Sequence, residues 1–291
     1  MPGSNSGPVC WAELLPHEFM RRRAEMPVVY LPMGLCEPHG QIAALGLDLI
    51  KAEALCEAAA RAFGGIVAPP TGFHIHECGP SARWLHDNVG EVEAHLSSVG
   101  PSAFLHGMVH QLRAAANAGF SAALLVSGHA GAHAADLADA AEQFGIRFRF
   151  RCRYLTDVEL AVPLFAADHA GPYEISLLQH IRPDLVNWER ARLAEDGESG
   201  GRFALAPDAR NASAEFGARV FSHLVGRLGD AAAGLLAAGG SPAAPLSIQQ
   251  AEGFWEELHG GIAGWKCARP RAGQEPVPAE SRWKPGEILQ P

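Results

Sequence analysis

The stretch "PVVYLPMGLCEPHGQIAALGLD", residues 27–48, decides how the rest of the chain is read. Its first eight residues are apolar, rich in β-branched side chains and closed by a glycine, which predicts a buried strand over 27–34. Just beyond that strand stand Glu37 and His39, and further on Asp48. Acidic and imidazole groups are rarely found inside so apolar a run, so their placement calls for a chemical reason.

Working outward, "LIKAEALCEAAARAFGG" (49–65) predicts a helix with glycines at its end, and "GGIVAPP" (64–70) a second short strand. "PSAFLHGMVHQLRAAANAGF" (101–120) sets Leu105, Met108, Val109, Leu112 and Ala116 on one helical face. "SAALLVSGH" (121–129) is a third apolar strand, followed by a helix over 132–145. "IRFRFRCRY" (146–154) alternates strictly. Ile146, Phe148, Phe150, Cys152 and Tyr154 face one way and four arginines the other, predicting a strand whose charged face guards an edge. Helices are expected over 172–181 and 214–238, and an exposed loop over 194–211. Strands alternating with helices indicate the α/β class with a largely parallel central sheet. A single domain over 1–240 is expected, then a Pro- and Gly-rich extension over 241–291 whose end wraps another surface or stays mobile.

Composition narrows the function. The 291-residue chain has a net charge of -9 and no basic stretch to neutralise phosphates, so no nucleic-acid partner is expected. Six cysteines occur without a C-x-x-C pair, which argues against a structural zinc knuckle and fits a reducing compartment. The start of the chain has no charged segment followed by an apolar core, and no apolar run is long enough to span a bilayer. The expectation is a cytoplasmic protein acting on a small molecule, with no membrane partner.

In open parallel sheets, ligands sit at the carboxyl ends of the strands. The first strand ends in Glu37 and His39, and the third in "SGHAGAH" with His129 and His133. If those strands are neighbours, Glu37, His39 and His129 converge. Asp48 stands just before the 49–65 helix, where it either caps that helix or turns inward. A carboxylate can bridge two metals, and mixed oxygen and nitrogen donors suit Zn²⁺, Mn²⁺ or Fe²⁺. Taken singly, Asp48 reads as an N-cap and His129 as a satisfied loop histidine; spacing alone does not choose.

Three segments together resemble the creatininase (creatinine amidohydrolase) family. "LPMGLCEPHGQIAALGLD" resembles the family's first motif through Pro32, Gly34, Glu37, His39, Gly40 and Asp48. "LLVSGHAGAH" resembles the second through Gly128, His129 and Gly131, and "DHAGPYEISLL" the third through His169, Ala170, Gly171, Glu174 and Ser176. The motifs come in family order, and the resemblance covers about 27–238. It implies a three-layer αβα sandwich, a centre of two divalent metal ions (Zn, Mn or Fe), a homo-oligomer, often a hexamer, and hydrolysis of non-peptide C–N bonds in cyclic amides or formamides. Carried over residue by residue, it makes Glu37, His39 and His129 ligands and Asp48 the bridge. Glu174 completes the second metal, because Gly131 stands where other members place an acid. His169 lies beside the substrate and is the expected catalytic group together with Glu174.

The chain departs from the family at Ile42, Ala43, Ala44, Ser127, Ala132 and Ile175. Segment 71–97 lacks the family's usual run and is rich in His74, His76, Glu77, Trp84, His86 and Asp87. Trp84, His86, Ser127 and Tyr173 are the expected substrate-side residues. His74, His76 and His86 read equally well as pocket lining or as an exposed cluster. Two other functions stay open: a peptidase trimming a small modified peptide, and an inactive binding protein on the same fold. Metal content separates the last from an enzyme.

Overall fold

The apolar run after Pro27 forms β1 (Val28–Met33), and all six of its residues are buried. Around it the chain builds α1 (Pro16–Glu25), α2 (Leu47–Phe63) and β2 (Ile66–Val67). Next come β3 (His74–Ile75), α3 (Gly79–Asn88), β4 (Ser98–Val99) and α4 (Pro101–Asn117). They are followed by β5 (Ala122–Ser127), α5 (His133–Phe148), β6 (Arg151–Thr156) and α6 (Asp157–Ala161). Last are α7 (Pro172–Ile181), α8 (Ala214–Ala237) and α9 (Ile248–Gly260). The structure is a computed structural model describing residues 7–195, 203–238 and 245–284.

Four strands form one parallel sheet in the order β2-β1-β5-β6, and β3 pairs with β4 in a separate two-stranded sheet. Parallel sheets need cover on both faces. Val29, Leu31 and Met33 point into one core, with Leu105, Met108 and Leu112 of α4, Phe144 of α5 and Phe254 of α9. Val28 and Tyr30 point into the other, with Leu55 and Cys56 of α2 and Leu224 and Leu228 of α8. The expected three αβα layers are therefore present.

The sheet order makes β1 the place where the chain changes direction, because β2 lies on one side of β1 and β5 on the other. A crevice opens there at the carboxyl ends. The last pair across it is Met33 and Ser127. Two glycines let a helix enter that crevice. A Cβ on Gly34 would lie 2.3 Å from Leu49 N, and one on Gly128 would lie 2.1 Å from the carbonyl oxygen of Asp48. The first turn of α2 is thus wedged between the ends of β1 and β5, and Asp48 is buried under both.

The alternating segment differs from expectation. Residues 146–148 continue α5, and the strand starts only at Arg151. Helical spacing wins because Phe144 and Phe148, one turn apart, bring their tilted rings to 4.7 Å and both rings meet Phe254 of α9. Ile146 is consequently exposed. Arg149 ends the helix at φ 55, after which Phe150, Cys152 and Tyr154 do alternate into the first core. Helices α1, α3 and α9 lie in segments for which no helix is expected from the sequence.

The described residues after 245 pack on the rest of the chain, with Leu246, Ala251, Phe254 and Leu258 in the first core. Ser247 caps α9, and Lys266 N and Cys267 N donate to the carboxylate of Asp136 at the start of α5. Gln274 donates to Pro80 O, and Trp283, buried against Leu85 and Val89, donates from its indole nitrogen to Gly90 O. Residues 196–202 of the expected loop and 285–291 of the expected tail lie outside the described residues. No described helix is long and apolar enough to cross a membrane.

Candidate metal centre

The switch-point crevice gathers Glu37, His39, Asp48, His129 and Glu174, each at most 6% exposed. Glu37 and His39 come from the loop after β1, His129 from the loop after β5, Asp48 from the first turn of α2 and Glu174 from the first turn of α7. Asp48 is central. Its Oδ1 lies 3.3 Å from His39 Nε2 and its Oδ2 lies 3.2 Å from His129 Nδ1. On one side Glu37 Oε1 approaches His129 Nδ1 at 2.8 Å; on the other Glu174 Oε2 approaches His39 Nε2 at 3.4 Å. The donors include two triplets, Glu37–His76–His129 and His39–Asp48–Glu174, each with its donor atoms within 4.8 Å of one another; Glu37–His39–His169 and His74–His129–His133 meet the same distance.

This donor set fits two cations. Buried polar atoms are normally hydrogen-bonded, yet His39 Nε2, both carboxylate oxygens of Asp48 and His76 Nε2 make no hydrogen bond. The two oxygens of Asp48 face different triplets, as a bridging carboxylate would. The backbone presets His39: its Nδ1 faces Glu37 O at 3.0 Å. A carbonyl can only accept, so Nδ1 carries the proton and Nε2 is left for the centre.

Electrostatics point the same way. Burial opposes ionisation of Asp48, but the adjacent imidazoles of His129 and His39 outweigh it and hold the carboxyl well below its usual range. Glu37 is lowered too, with burial opposed by His129 and His169. Burial disfavours a charged His129, yet Glu37 and Asp48 push it up to about 10. His39 is likewise raised, burial being outweighed by Asp48 and Glu174. Protons on the two imidazoles thus balance the carboxylates, and two dications on neutral imidazoles would supply positive charge at the same places.

A buried cation backs the cluster. Lys51, 1% exposed, places Nζ 2.8 Å from Glu174 Oε1 and 2.9 Å from Asp157 Oδ2. Burial alone would lower its pKa, but Asp157 and Glu174 raise it well above the ordinary value. Glu174 is so divided between tasks: Oε1 takes Lys51, while Oε2 accepts from Ala170 N at 2.9 Å and faces His39.

His169 stands at the open side, half-buried. Its Nε2 donates to Pro38 O at 3.0 Å, which turns Nδ1 toward Glu37 Oε1 at 3.9 Å and Glu174 Oε2 at 3.8 Å. Its ring stacks on His39 at 4.8 Å and meets the edge of Trp84 at 4.7 Å. Above lies a cavity of about 300 Å³ with Glu37, His76 and His129 at its floor. Trp84 and Asp87 of α3 form one wall, and Arg271 and Gln274 of the extension stand at its mouth.

Of the four expected substrate-side residues, only Trp84 lines this cavity. His86 turns to Glu91 Oε1 at 2.9 Å. Ser127 is fully buried beneath His129, accepting from its N–H at 3.1 Å and donating to its carbonyl at 2.8 Å. Tyr173 is buried behind Lys51, with its hydroxyl 3.0 Å from Asp157 Oδ2. The last two face inward because their backbones belong to the end of β5 and the first turn of α7.

His76 was open between pocket and surface, and the structure buries it in the first triplet, with Nδ1 3.2 Å from His129 Nε2. Burial lowers its pKa to about 4, leaving a neutral nitrogen donor. His74 instead is a packing residue: its Nδ1 accepts from Ile75 N, and its ring lies on Phe104 at 4.2 Å. The period-two spacing of His74 and His76 about Ile75 was the available signal. Lys51 and Asp157 were missed, although Asp157 directly follows a strand, the very position that singled out Glu37 and His129.

Comparison with known proteins gives one family. The family model for creatininase, creatinine amidohydrolase, matches residues 12–232. A crystal structure of creatinine amidohydrolase superposes with a TM-score of 0.63 at 22% identity, covering 78% of this chain and 97% of the other. A manganese form of creatininase gives 0.62 at 21% identity, covering 77% and 97%. A putative creatinine amidohydrolase from Bacteroides fragilis NCTC 9343 gives 0.53 at 23%, covering 72% and 90%. No curated protein sequence matches the chain.

Proposed function

The chain belongs to the creatinine amidohydrolase (creatininase) family, and from that premise we propose that it is a metal-dependent amidohydrolase cleaving a non-peptide C–N bond, in a cyclic amide or formamide, of a small molecule. The observation that carries this reading is Asp48, buried, with neither oxygen hydrogen-bonded and each turned toward an imidazole on a different side. On this reading Glu37 and His129, with His76 beside them, would hold one divalent ion, His39 and Glu174 would hold the other, and Asp48, facing both sides, would be shared. Zinc, manganese and iron all suit such donors.

Two such ions supply an acidified water and Lewis-acid polarisation of a carbonyl. The protein's own part is positioning and proton movement. Lys51 fixes Glu174 and offsets its charge. The Nδ1–H bond of His39 to Glu37 O fixes the ring that presents Nε2. His169 is the proton carrier: the Pro38 carbonyl holds its Nε2–H, so Nδ1 faces the reacting region, and in the imidazolium form it can give that proton to the leaving nitrogen. Trp84 holds the His169 ring by its edge and offers a flat surface to a planar substrate. The homo-oligomer that family membership suggests, with a hexamer as the expected assembly, is checked by light scattering.

Two measurements test the reading. Metal analysis of purified protein should give about two equivalents per chain, and none would favour a binding protein on this fold. His169→Ala should lower turnover about a hundredfold or more while metal content is unchanged; metal loss would move His169 into the ligand set. Screening cyclic imides, lactams, formamides and short peptides identifies the bond.

A further inference from the structure

A second group of metal-type donors lies outside the central cluster. His106 and His110 stand one turn apart on α4, so both rings project from the same helix face. Their Nε2 atoms lie 3.0 and 2.9 Å from the two oxygens of a single carboxylate, Glu252 of α9. The three donor atoms are all within 4.8 Å of one another. All three side chains are partly exposed, between 31 and 42%. Trp255, three residues after Glu252, stacks on the His106 ring at 5.0 Å and 20°, which fixes that ring in place. Glu252 and Trp255 lie beyond residue 232, where the family match ends. The group therefore joins the family domain to the extension.

We propose that His106, His110 and Glu252 form a second, peripheral site for one transition-metal ion, of the Zn²⁺, Ni²⁺ or Cu²⁺ class. Two imidazoles and one carboxylate are borderline donors that select such ions over Mg²⁺ and Ca²⁺. Exposure leaves room for water to complete the coordination. On binding, each ring gives up its Nε2–H bond to Glu252, that proton passing to Nδ1 or to solvent, and the freed Nε2 lone pair ligates. The carboxylate exchanges two N–H donors for the ion. The consequence is mechanical. Helix α9 leads into the strap that Asp136 holds at Lys266 and Cys267 and that passes Arg271 and Gln274 along the lining of the cavity. An ion at its root pins that strap to the domain.

The test uses the full chain with its central metals in place, titrated with Cu²⁺ and separately with Zn²⁺. His106→Gln and His110→Gln are the variants, because a glutamine amide still donates to Glu252 while removing the imidazole ligand. Wild type should take up one equivalent more than either variant. Cu²⁺ should quench a share of the tryptophan emission that is missing in Trp255→Phe, and Zn²⁺ should raise the melting temperature of wild type more than that of His110→Gln. Equal uptake by wild type and a folded glutamine variant at micromolar free metal overturns the proposal, and so does quenching that persists unchanged in Trp255→Phe. None of the three readouts uses catalysis, so this site and the amidohydrolase reading fail independently.

Discussion

Among the described residues, the metal-type donors form two clusters of histidine and carboxylate, and these differ chiefly in burial. In the central one Asp48 and His39 are at most 1% exposed and their donor atoms lack hydrogen bonds. In the peripheral one every donor is paired, His106 and His110 to Glu252, at the edge of water. An exposed ion pair contributes little to stability, whereas a buried, unpaired polar atom is costly unless something else satisfies it. The same residue types therefore carry different information. Burial without partners is what makes the central group a statement about chemistry; the outer group needs its own metal titration.

The comparison is broken most sharply by removing one carboxylate from each cluster. Asp48→Ala should abolish bridging, release metal, and lower turnover by roughly a thousandfold or more, the scale of several kcal/mol of lost transition-state stabilisation. Glu252→Ala should leave turnover within about twofold, as a surface change far from the chemistry. Turnover and metal content measured on both variants decide the point, and equal losses would mean that burial does not separate the two clusters.

The contrast sharpens at Lys51, which has no counterpart outside. It is 1% exposed between Asp157 and Glu174. Removing one member of a buried ion group leaves an uncompensated charge, at about 3–5 kcal/mol. Lys51→Met should lower the melting temperature by about 10 °C and weaken metal binding about 10–100-fold through Glu174. Adding Asp157→Asn should recover part of the stability, because the abandoned carboxylate is then gone. A Lys51→Met protein as stable as wild type would show that the lysine only fills space. Asp157, whose pKa burial already raises, is the group that would take up a proton to limit the damage.

These clusters also show what could be read in advance. The central sheet was legible because buried strands are β-branched and bounded by glycine, and the site because ligand groups cluster at strand ends. Which way a buried side chain points was not legible. Ser127 and Tyr173 sit in the motifs yet face the interior, since a single backbone turn decides between cavity and core. Helix α3 was obscured by the glycine and proline at its start and by the histidines of the segment around it, and α9 by the proline-rich context around it. The 146–154 alternation misplaced a strand start, because Phe148 served a helix contact with Phe254, more than a hundred residues away, that no local pattern encodes. Lys51 was hidden for the opposite reason: an alanine-rich helix with lysine looks like a solvated one, and only the fold turns that residue inward.

The smallest effect, a dependence of stability on pH, separates the clusters without mutation. In chelator-treated protein, Glu37 and Asp48 overcome burial and push His129 up to about 10, compared with about 6.5 for an unfolded histidine. A folded-state pKa above the unfolded value means that the protonated form is stabilised by folding. Its contribution is full below about pH 6.5 and is lost as pH rises through 10. The carboxylates behave oppositely: Glu37, Asp48 and Glu174 are depressed, so their contribution is present above about pH 4.5 and lost as pH falls through their folded values. The chelated chain should be most stable near pH 5–6 and should lose stability by urea midpoint between pH 7 and 10. Metal reverses the alkaline limb, because ions need the imidazoles deprotonated and bind better as pH rises. A chelated protein whose urea midpoint is flat from pH 6 to 10 would show that His129 holds no extra proton, and the electrostatic account of the centre would fail with it.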